Sequence, residues 1–187
     1  MARYARECSE SGIYHVMLRG IDQTQLFYDS EDREALLERL ARLKDEGSFK
    51  LFAYALMGNH THFLIKEEQD PLALSIKRLA VSYSSWFNKK YDRSGYLFQG
   101  RFKSEPIKDD PHLLTVFKYI HYNPVKVGED ISAWTSYNDY LSSSELTDTD
   151  FILGMFAKSS PEAKEQLRQF LDIPLPKDEG ILGTTKP

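Results

Sequence analysis

The sequence predicts a single α+β domain built on a four-stranded antiparallel sheet. The chain has 187 residues, 41% of them hydrophobic, which suffices for one core without disulfide or metal staples. Segments of strand-forming composition alternate with segments of helical periodicity. Gly58-Asn59 separates two strand-like segments, which is typical of a tight hairpin. These observations predict the order strand, helix, strand, strand, helix, strand, helix.

The first half supplies three strands and one helix. Residues 13–19 are rich in strand formers and end at Gly20. Residues 31–45 carry leucines at helical spacing behind the capping pair Asp29-Ser30. Residues 49–57 and 60–66 flank the hairpin turn and therefore predict two antiparallel strands.

The second half supplies a helix, a strand and another helix. Pro71 opens a helix to about residue 90, residues 102–107 form the fourth strand, and residues 111–122 form a helix that Asn123-Pro124 stops. The first six elements match the split βαβ, ferredoxin-like arrangement. We expect the helices to lie on one face of the sheet.

The C-terminal part is acidic and differs from what precedes it. Residues 134–145 are aromatic and serine-rich and are expected to wrap the core, while 148–158 and 161–171 predict two short helices. The tail 174–187 has few large apolar residues, so we expect it to be loosely held. The predicted division is a domain over 1–145 and an acidic helical extension with a loose tail over 146–187.

The charge distribution is uneven along the chain. The net charge is −4, but residues 77–126 hold 10 basic and 4 acidic residues, a local balance of +6. A basic segment can bind phosphates while the remaining surface stays acidic, although solvated lysines would give the same pattern. The single cysteine, Cys8, excludes an internal disulfide, and neither a signal peptide nor a membrane-spanning stretch is visible, so we expect a cytoplasmic protein.

His60 and His62 form the first candidate site. Side chains at alternate positions of a strand point to the same face, so the two imidazoles can chelate one metal ion. Taken alone, each histidine could equally be a polar residue with an ordinary hydrogen-bond partner.

Tyr119 and Asn123 form the second candidate site. Four residues apart on a helix, they lie one turn from each other on one face. A free phenol is a poor nucleophile at neutral pH, but a metal beside it can polarise the phosphate that it attacks. A core aromatic followed by a helix-stopping asparagine is the alternative interpretation.

The basic segment also mixes cations with aromatic rings, which suits single-stranded nucleic acid because its bases are free to stack. Whether the rings serve that purpose or the core is left open. The candidate phosphate contacts are Arg19, Lys89, Lys90, Arg93, Arg101 and Lys103.

Four segments in order resemble the REP-associated tyrosine transposases, which belong to the single-tyrosine transposases of the HUH endonuclease superfamily. They are Tyr14-His15-Val16 with Arg19-Gly20, residues 56–64 around His60-Thr61-His62, residues 96–104, and residues 119–125 around Tyr119. The resemblance spans residues 3–141. Thr61 departs from the family pattern, which has a bulky hydrophobic residue between the histidines.

The resemblance implies a role for each candidate residue. His60, His62 and Asn123 would be the metal ligands, and Tyr119 would be the nucleophile that forms a 5′-phosphotyrosine link and frees a 3′-OH. It implies Mg²⁺ or Mn²⁺ as the cofactor, although two imidazoles and an amide oxygen suit Mn²⁺, Zn²⁺ or Co²⁺ better than Mg²⁺. The implied substrate is single-stranded DNA that forms hairpins, processed in transposition or recombination, with a monomer more expected than a homodimer.

Two other functions fit part of the pattern. A non-catalytic, domesticated transposase would bind DNA hairpins through the basic segment alone, with a strong salt dependence. A Zn²⁺ hydrolase would use the histidine pair with water as the nucleophile, and it would leave the segment around Tyr119 unexplained.

Overall fold

A four-stranded antiparallel sheet forms the centre of the molecule in the computed structural model, which describes residues 7–142 and 144–175. The strands lie in the order β2-β3-β1-β4, the ferredoxin-like order. They are β1 (Ile13–Arg19), β2 (Phe49–Met57), β3 (His60–Glu67) and β4 (Lys103–Pro106). The predicted fold class is confirmed, and the fourth strand is shorter than predicted.

Two long helices cover one face of this sheet. They are α1 (Ser30–Asp45) and α2 (Leu72–Lys90). Asp29 caps α1 by accepting a hydrogen bond from the Asp32 amide, while the Asp32 carboxylate accepts from the Asp29 amide. Phe63 and Ile65 of β3 share a hydrophobic core with both helices. This is the split βαβ arrangement that the sequence predicts.

The opposite face is also covered, which corrects the expectation that the helices lie on one face. The covering helices are α3 (Asp110–Tyr122), α4 (Tyr137–Leu141), α5 (Thr149–Leu153) and α6 (Ser160–Asp172). Leu64 points away from Phe63 and Ile65 and packs into this second core with Phe52. Because the inner strands carry apolar residues on both sides, both faces of the sheet need cover.

The C-terminal segment packs closely against the rest. Leu56 donates its amide to the Trp134 carbonyl at 3.0 Å, so residues 134–136 run along the edge of β2. Leu153, Leu167 and Leu171 are buried in the second core. The expected wrapping segment and two short helices are confirmed, although α5 ends well before the predicted end at residue 158. The loose tail falls almost wholly on residues 176–187, outside the described residues. No described helix is long and apolar enough to span a membrane.

Candidate active site

The two histidines of β3 share one face of the sheet. His60 and His62 lie at alternate positions, and their ring centroids are 5.0 Å apart. His62 is fully buried and His60 is partly exposed. The face on which they lie is the one that α3 covers, since Leu64 at the next alternate position packs against that helix.

His60 is oriented by its neighbour in the hairpin turn. Its Nδ1 lies 2.7 Å from Oδ1 of Asn59, which can only accept, so Nδ1 donates the hydrogen bond. Burial, followed by the charges of Arg19 and Lys126, lowers the pKa of His60 to about 4. At neutral pH the ring is therefore uncharged, and its Nε2 carries a lone pair.

His62 has a partner that the sequence did not reveal as part of the site. His15 of β1 is fully buried, and its Nε2 lies 2.9 Å from Nδ1 of His62. The other nitrogen of His62, Nε2, is buried with no hydrogen-bond partner. Burial and the neighbouring imidazoles hold the pKa of His62 well below its usual value. The sequence signals were that His15 is a polar residue in a mostly apolar strand and that it belongs to the segment Tyr14-His15-Val16, which shares the family resemblance but received no role there.

Tyr119 of α3 meets these imidazoles. Its ring centroid lies 5.5 Å from that of His62 and 5.9 Å from that of His15. The side chain is almost wholly buried, and burial raises the pKa of its phenol to about 12. The predicted nucleophile and the predicted histidine pair therefore lie together, with the phenol uncharged at neutral pH.

Lys126 is a second residue that sequence analysis missed. It lies in a 3-10 turn (Val125–Val127) that follows α3, and its Nζ is 3.8 Å from the centroid of the Tyr119 ring. Burial lowers the pKa of Lys126. An ammonium over an aromatic face is attracted to the ring and would be attracted more strongly to a phenolate. The turn after Asn123-Pro124 brings the charge back over the helix, which spacing alone does not indicate.

Asn123 is buried at the end of α3. Its Nδ2 donates to the carbonyl of Tyr119 at 2.9 Å, so the side chain is held against the last turn of its own helix. That bond uses the amide nitrogen, and Oδ1 is the atom that a cation would need. Its role as a metal ligand remains a prediction.

The donor set around His62 suits a divalent cation. A buried imidazole nitrogen without a partner is costly unless something binds it, and His60 offers a second nitrogen beside it. Within the described ranges, no three His, Cys, Asp or Glu side chains form a metal-binding group. A cation here would therefore need an amide oxygen and substrate oxygens to complete its coordination.

Three predicted phosphate contacts line one cavity, and two of them lie on the sheet face that carries the histidines. Arg19 pairs with His60 across β1 and β3, and Met17 pairs with both His62 and Lys103. Paired residues of neighbouring strands share a face, so these cations stand on the side of the sheet that carries the imidazoles. Arg19, Lys103 and Arg101 line an open cavity of about 530 Å³.

The other three predicted contacts lie elsewhere. Lys90, at the end of α2, places its ammonium 2.8 to 2.9 Å from the carboxylates of Asp29, Glu31 and Asp32. The guanidinium of Arg93 lies over the Phe87 ring, and Lys89 is exposed on the same helix. The prediction that Lys90 contacts phosphates finds no support, because three carboxylates already surround its charge.

The rings of the basic segment divide into core and surface. Tyr83 and Phe87 are fully buried, whereas Tyr96 is 86% exposed. Tyr96 borders an apolar cavity of about 470 Å³ together with Phe98 and Phe102. Arg101 lines this cavity and also the cavity that Arg19 and Lys103 line. The structure thus leaves Tyr96 as a ring that a base can reach.

One family model and two solved structures are similar to this chain. A family model described as IS200-like transposase matches residues 8–123. A solved structure of a REP-associated tyrosine transposase bound to a REP hairpin has a TM-score of 0.64 at 17% identity, covering 79% of this chain and 94% of its own. A candidate transposase from Deinococcus radiodurans R1 has a TM-score of 0.45 at 14% identity, covering 69% and 99%. No curated protein sequence matches.

Proposed function

The chain belongs to the IS200-like transposase family, and on that basis we propose that it cuts and rejoins single-stranded DNA through a covalent link to Tyr119. The observation that carries the proposal is the 5.5 Å between the ring of Tyr119 and that of His62, residues that are 57 positions apart in the chain. A phenol packed among neutral imidazoles, on the sheet face that also carries Arg19 and Lys103, suits attack on a phosphodiester.

The proposed reaction is a transesterification. The phenolic oxygen of Tyr119 bonds to phosphorus, the bond from phosphorus to the 3′ oxygen breaks, and that oxygen takes up a proton while the phenol loses one. The DNA 5′ end is then a phosphotyrosine and the other end is a 3′-OH. Attack of a 3′-OH on the phosphotyrosine reverses the exchange, so the strand is rejoined without ATP.

His60, His62 and Asn123 are the residues that would hold a divalent cation, Mg²⁺ or Mn²⁺. When bound, the ion would neutralise charge that develops on the non-bridging phosphate oxygens. Lys126 supplies a second positive charge beside the phenol, and its position 3.8 Å from the Tyr119 ring favours the phenolate over the neutral form.

We further propose a DNA strand with a hairpin as the substrate. Arg19, Arg101 and Lys103 would bind its phosphates, and Tyr96 would stack on an unpaired base. The similar transposase is described as bound to a REP hairpin, which supports this choice of DNA. We propose a monomer acting in the cytoplasm on such DNA.

The test is formation of a covalent adduct between the protein and end-labelled hairpin oligonucleotides with Mn²⁺. Tyr119→Phe is expected to abolish the adduct, while Tyr122→Phe, which removes a neighbouring phenol of the same helix, is expected to keep it. If Tyr119→Phe still forms the adduct, Tyr119 is not the nucleophile. Hairpin binding without cleavage would instead support a non-catalytic binding protein, and cleavage without an adduct would support a hydrolase that uses water.

A further inference from the structure

His15 is a buried polar residue whose partner is a predicted metal ligand. It lies opposite Leu64 in the pairing of β1 with β3, two residues before Met17, which lies opposite His62. The rings of His15 and His62 stack with centroids 5.1 Å apart, and their hydrogen bond is 2.9 Å long. Both side chains are fully buried, so neither imidazole can replace this hydrogen bond with one to solvent.

Two arrangements of protons satisfy this hydrogen bond. In the first, His62 donates from Nδ1 to Nε2 of His15. In the second, His15 donates from Nε2 to Nδ1 of His62. A neutral imidazole carries one N–H, so the first leaves Nε2 of His62 with a lone pair and the second puts a hydrogen there.

Glu105 distinguishes the two arrangements. Its carboxylate lies 4.0 Å from Nδ1 of His15, on the side of that ring away from His62. In the first arrangement Nδ1 of His15 bears the hydrogen and faces a negative charge, which is attractive. In the second a lone pair faces the carboxylate, which is repulsive. Nδ1 of His15 and Nε2 of His62 both lack a hydrogen-bond partner, but only a hydrogen on Nδ1 of His15 has a carboxylate 4.0 Å away.

We propose that His15 is a positioning residue that keeps His62 protonated on Nδ1, so that Nε2 presents its lone pair to a divalent cation, and that Glu105 orients His15 in turn. The inference rests on the proposed function for its metal. A carboxylate and a histidine behind a metal-binding histidine would fix both its ring orientation and its proton.

The burial of the pair agrees with neutral rings. Two fully buried imidazoles at hydrogen-bond distance would repel each other if both were charged, and one hydrogen between the facing nitrogens satisfies the bond. The surroundings of the pair therefore decide which nitrogen carries that hydrogen.

The first experiment measures Mn²⁺ affinity by electron paramagnetic resonance on the full chain without DNA. His15→Leu removes the acceptor and is expected to weaken binding by 10- to 100-fold, on the order of a lost outer-shell partner. His15→Gln is expected to restore affinity to within about threefold, because its amide oxygen can accept from Nδ1 of His62. His121→Leu, which removes another buried histidine, is the matched control and is expected to leave the affinity unchanged.

The second experiment determines which ring nitrogen of His62 carries the hydrogen. In ¹⁵N-labelled wild-type protein without metal, His62 is expected to show a protonated Nδ1 and an unprotonated Nε2. A hydrogen on Nε2, or a His15→Leu variant that is folded and binds Mn²⁺ as the wild type does, would overturn the proposal. Because the nuclear magnetic resonance measurement uses the wild-type protein, it tests the proposal even if a variant does not fold. If the wild type binds Mn²⁺ yet forms no DNA adduct, the proposed function fails while this inference stands.

Discussion

Tyr119 is buried against imidazoles on one side and has an ammonium over its ring. Because burial raises the pKa of its phenol to about 12, the phenolate is scarce at neutral pH. A positive charge beside the phenol would oppose this effect, and the ammonium of Lys126 lies 3.8 Å from the centroid of the ring. At the residue scale, the reactivity of the site should therefore depend on Lys126 as well as on the residues that the sequence singled out.

Replacing Lys126 with methionine should slow adduct formation about tenfold at pH 7, which corresponds to roughly 1.4 kcal/mol of lost stabilisation of the developing phenolate. The check is the single-turnover rate of adduct formation with a hairpin oligonucleotide. Lys158→Met, which removes an exposed charge of the C-terminal segment, should leave the rate unchanged. Equal rates in wild type and Lys126→Met would exclude a role for this charge.

At the element scale, the start of α1 and the end of α2 are joined by a buried carboxylate. Asp32 is fully buried and accepts from the Tyr28 amide at 2.6 Å, from the Tyr91 hydroxyl and from the ammonium of Lys90. The same cluster pairs the charge of Lys90 with carboxylates of the protein, so its predicted contact with DNA phosphates finds no support. Its charge serves to hold two helices together on the face of the sheet opposite the candidate site.

Asp32→Ala should lower the free energy of unfolding by about 3 kcal/mol, because it leaves a cation and backbone donors without their acceptor. Urea unfolding monitored by circular dichroism measures this change. Glu31→Ala removes an exposed carboxylate that also contacts Lys90, and it should cost less than about 1 kcal/mol. Equal losses in the two variants would contradict a structural role for the buried carboxylate.

The edge strand β4 is expected to contribute phosphate contacts. Lys103→Met should weaken binding of a hairpin oligonucleotide, and the slope of log affinity against log salt should fall by about one. Lys50→Met removes a lysine from the other edge strand, β2, and is the matched control. Fluorescence anisotropy at several salt concentrations measures both, and an unchanged slope in Lys103→Met would remove this residue from the DNA surface.

At the scale of the whole molecule, both faces of the sheet are covered and several histidines are enclosed. His121 is fully buried, with Nδ1 at 2.8 Å from the Phe117 carbonyl and Nε2 at 2.9 Å from the Ser136 hydroxyl. Burial lowers its pKa to about 4 from the ordinary value of 6.5. The unfolded chain therefore takes up a proton at this position before the folded chain does.

This difference predicts that the protein loses stability in acid. The contribution of His121 is fully present above about pH 6.5 and is lost as the pH falls towards 4, by roughly 3 kcal/mol in total. Urea unfolding at pH 7, 5.5 and 4.5 should show the fall. His121→Gln, which cannot take up the proton, should make the fall shallower, and the same dependence in both proteins would refute the assignment.

Local patterns predicted most of the secondary structure. The first two strands begin and end where their composition changes, and Gly58-Asn59 forms the predicted hairpin turn. Alternation along β3 placed His60 and His62 on one face, and helical spacing placed Tyr119 one turn before Asn123. These properties depend on residues close in sequence, which is why spacing alone was enough to predict them.

Only the tertiary structure decided which distant residues meet. Three contacts join separate segments of the chain. His15 forms a hydrogen bond with His62, and Lys126 lies over the ring of Tyr119. Lys90 forms ion pairs with the carboxylates at the start of α1. The cover on the second face of the sheet is of the same kind. Such contacts arise from how the elements pack against one another, and packing is a property of the folded chain that the periodicity of a single segment does not contain.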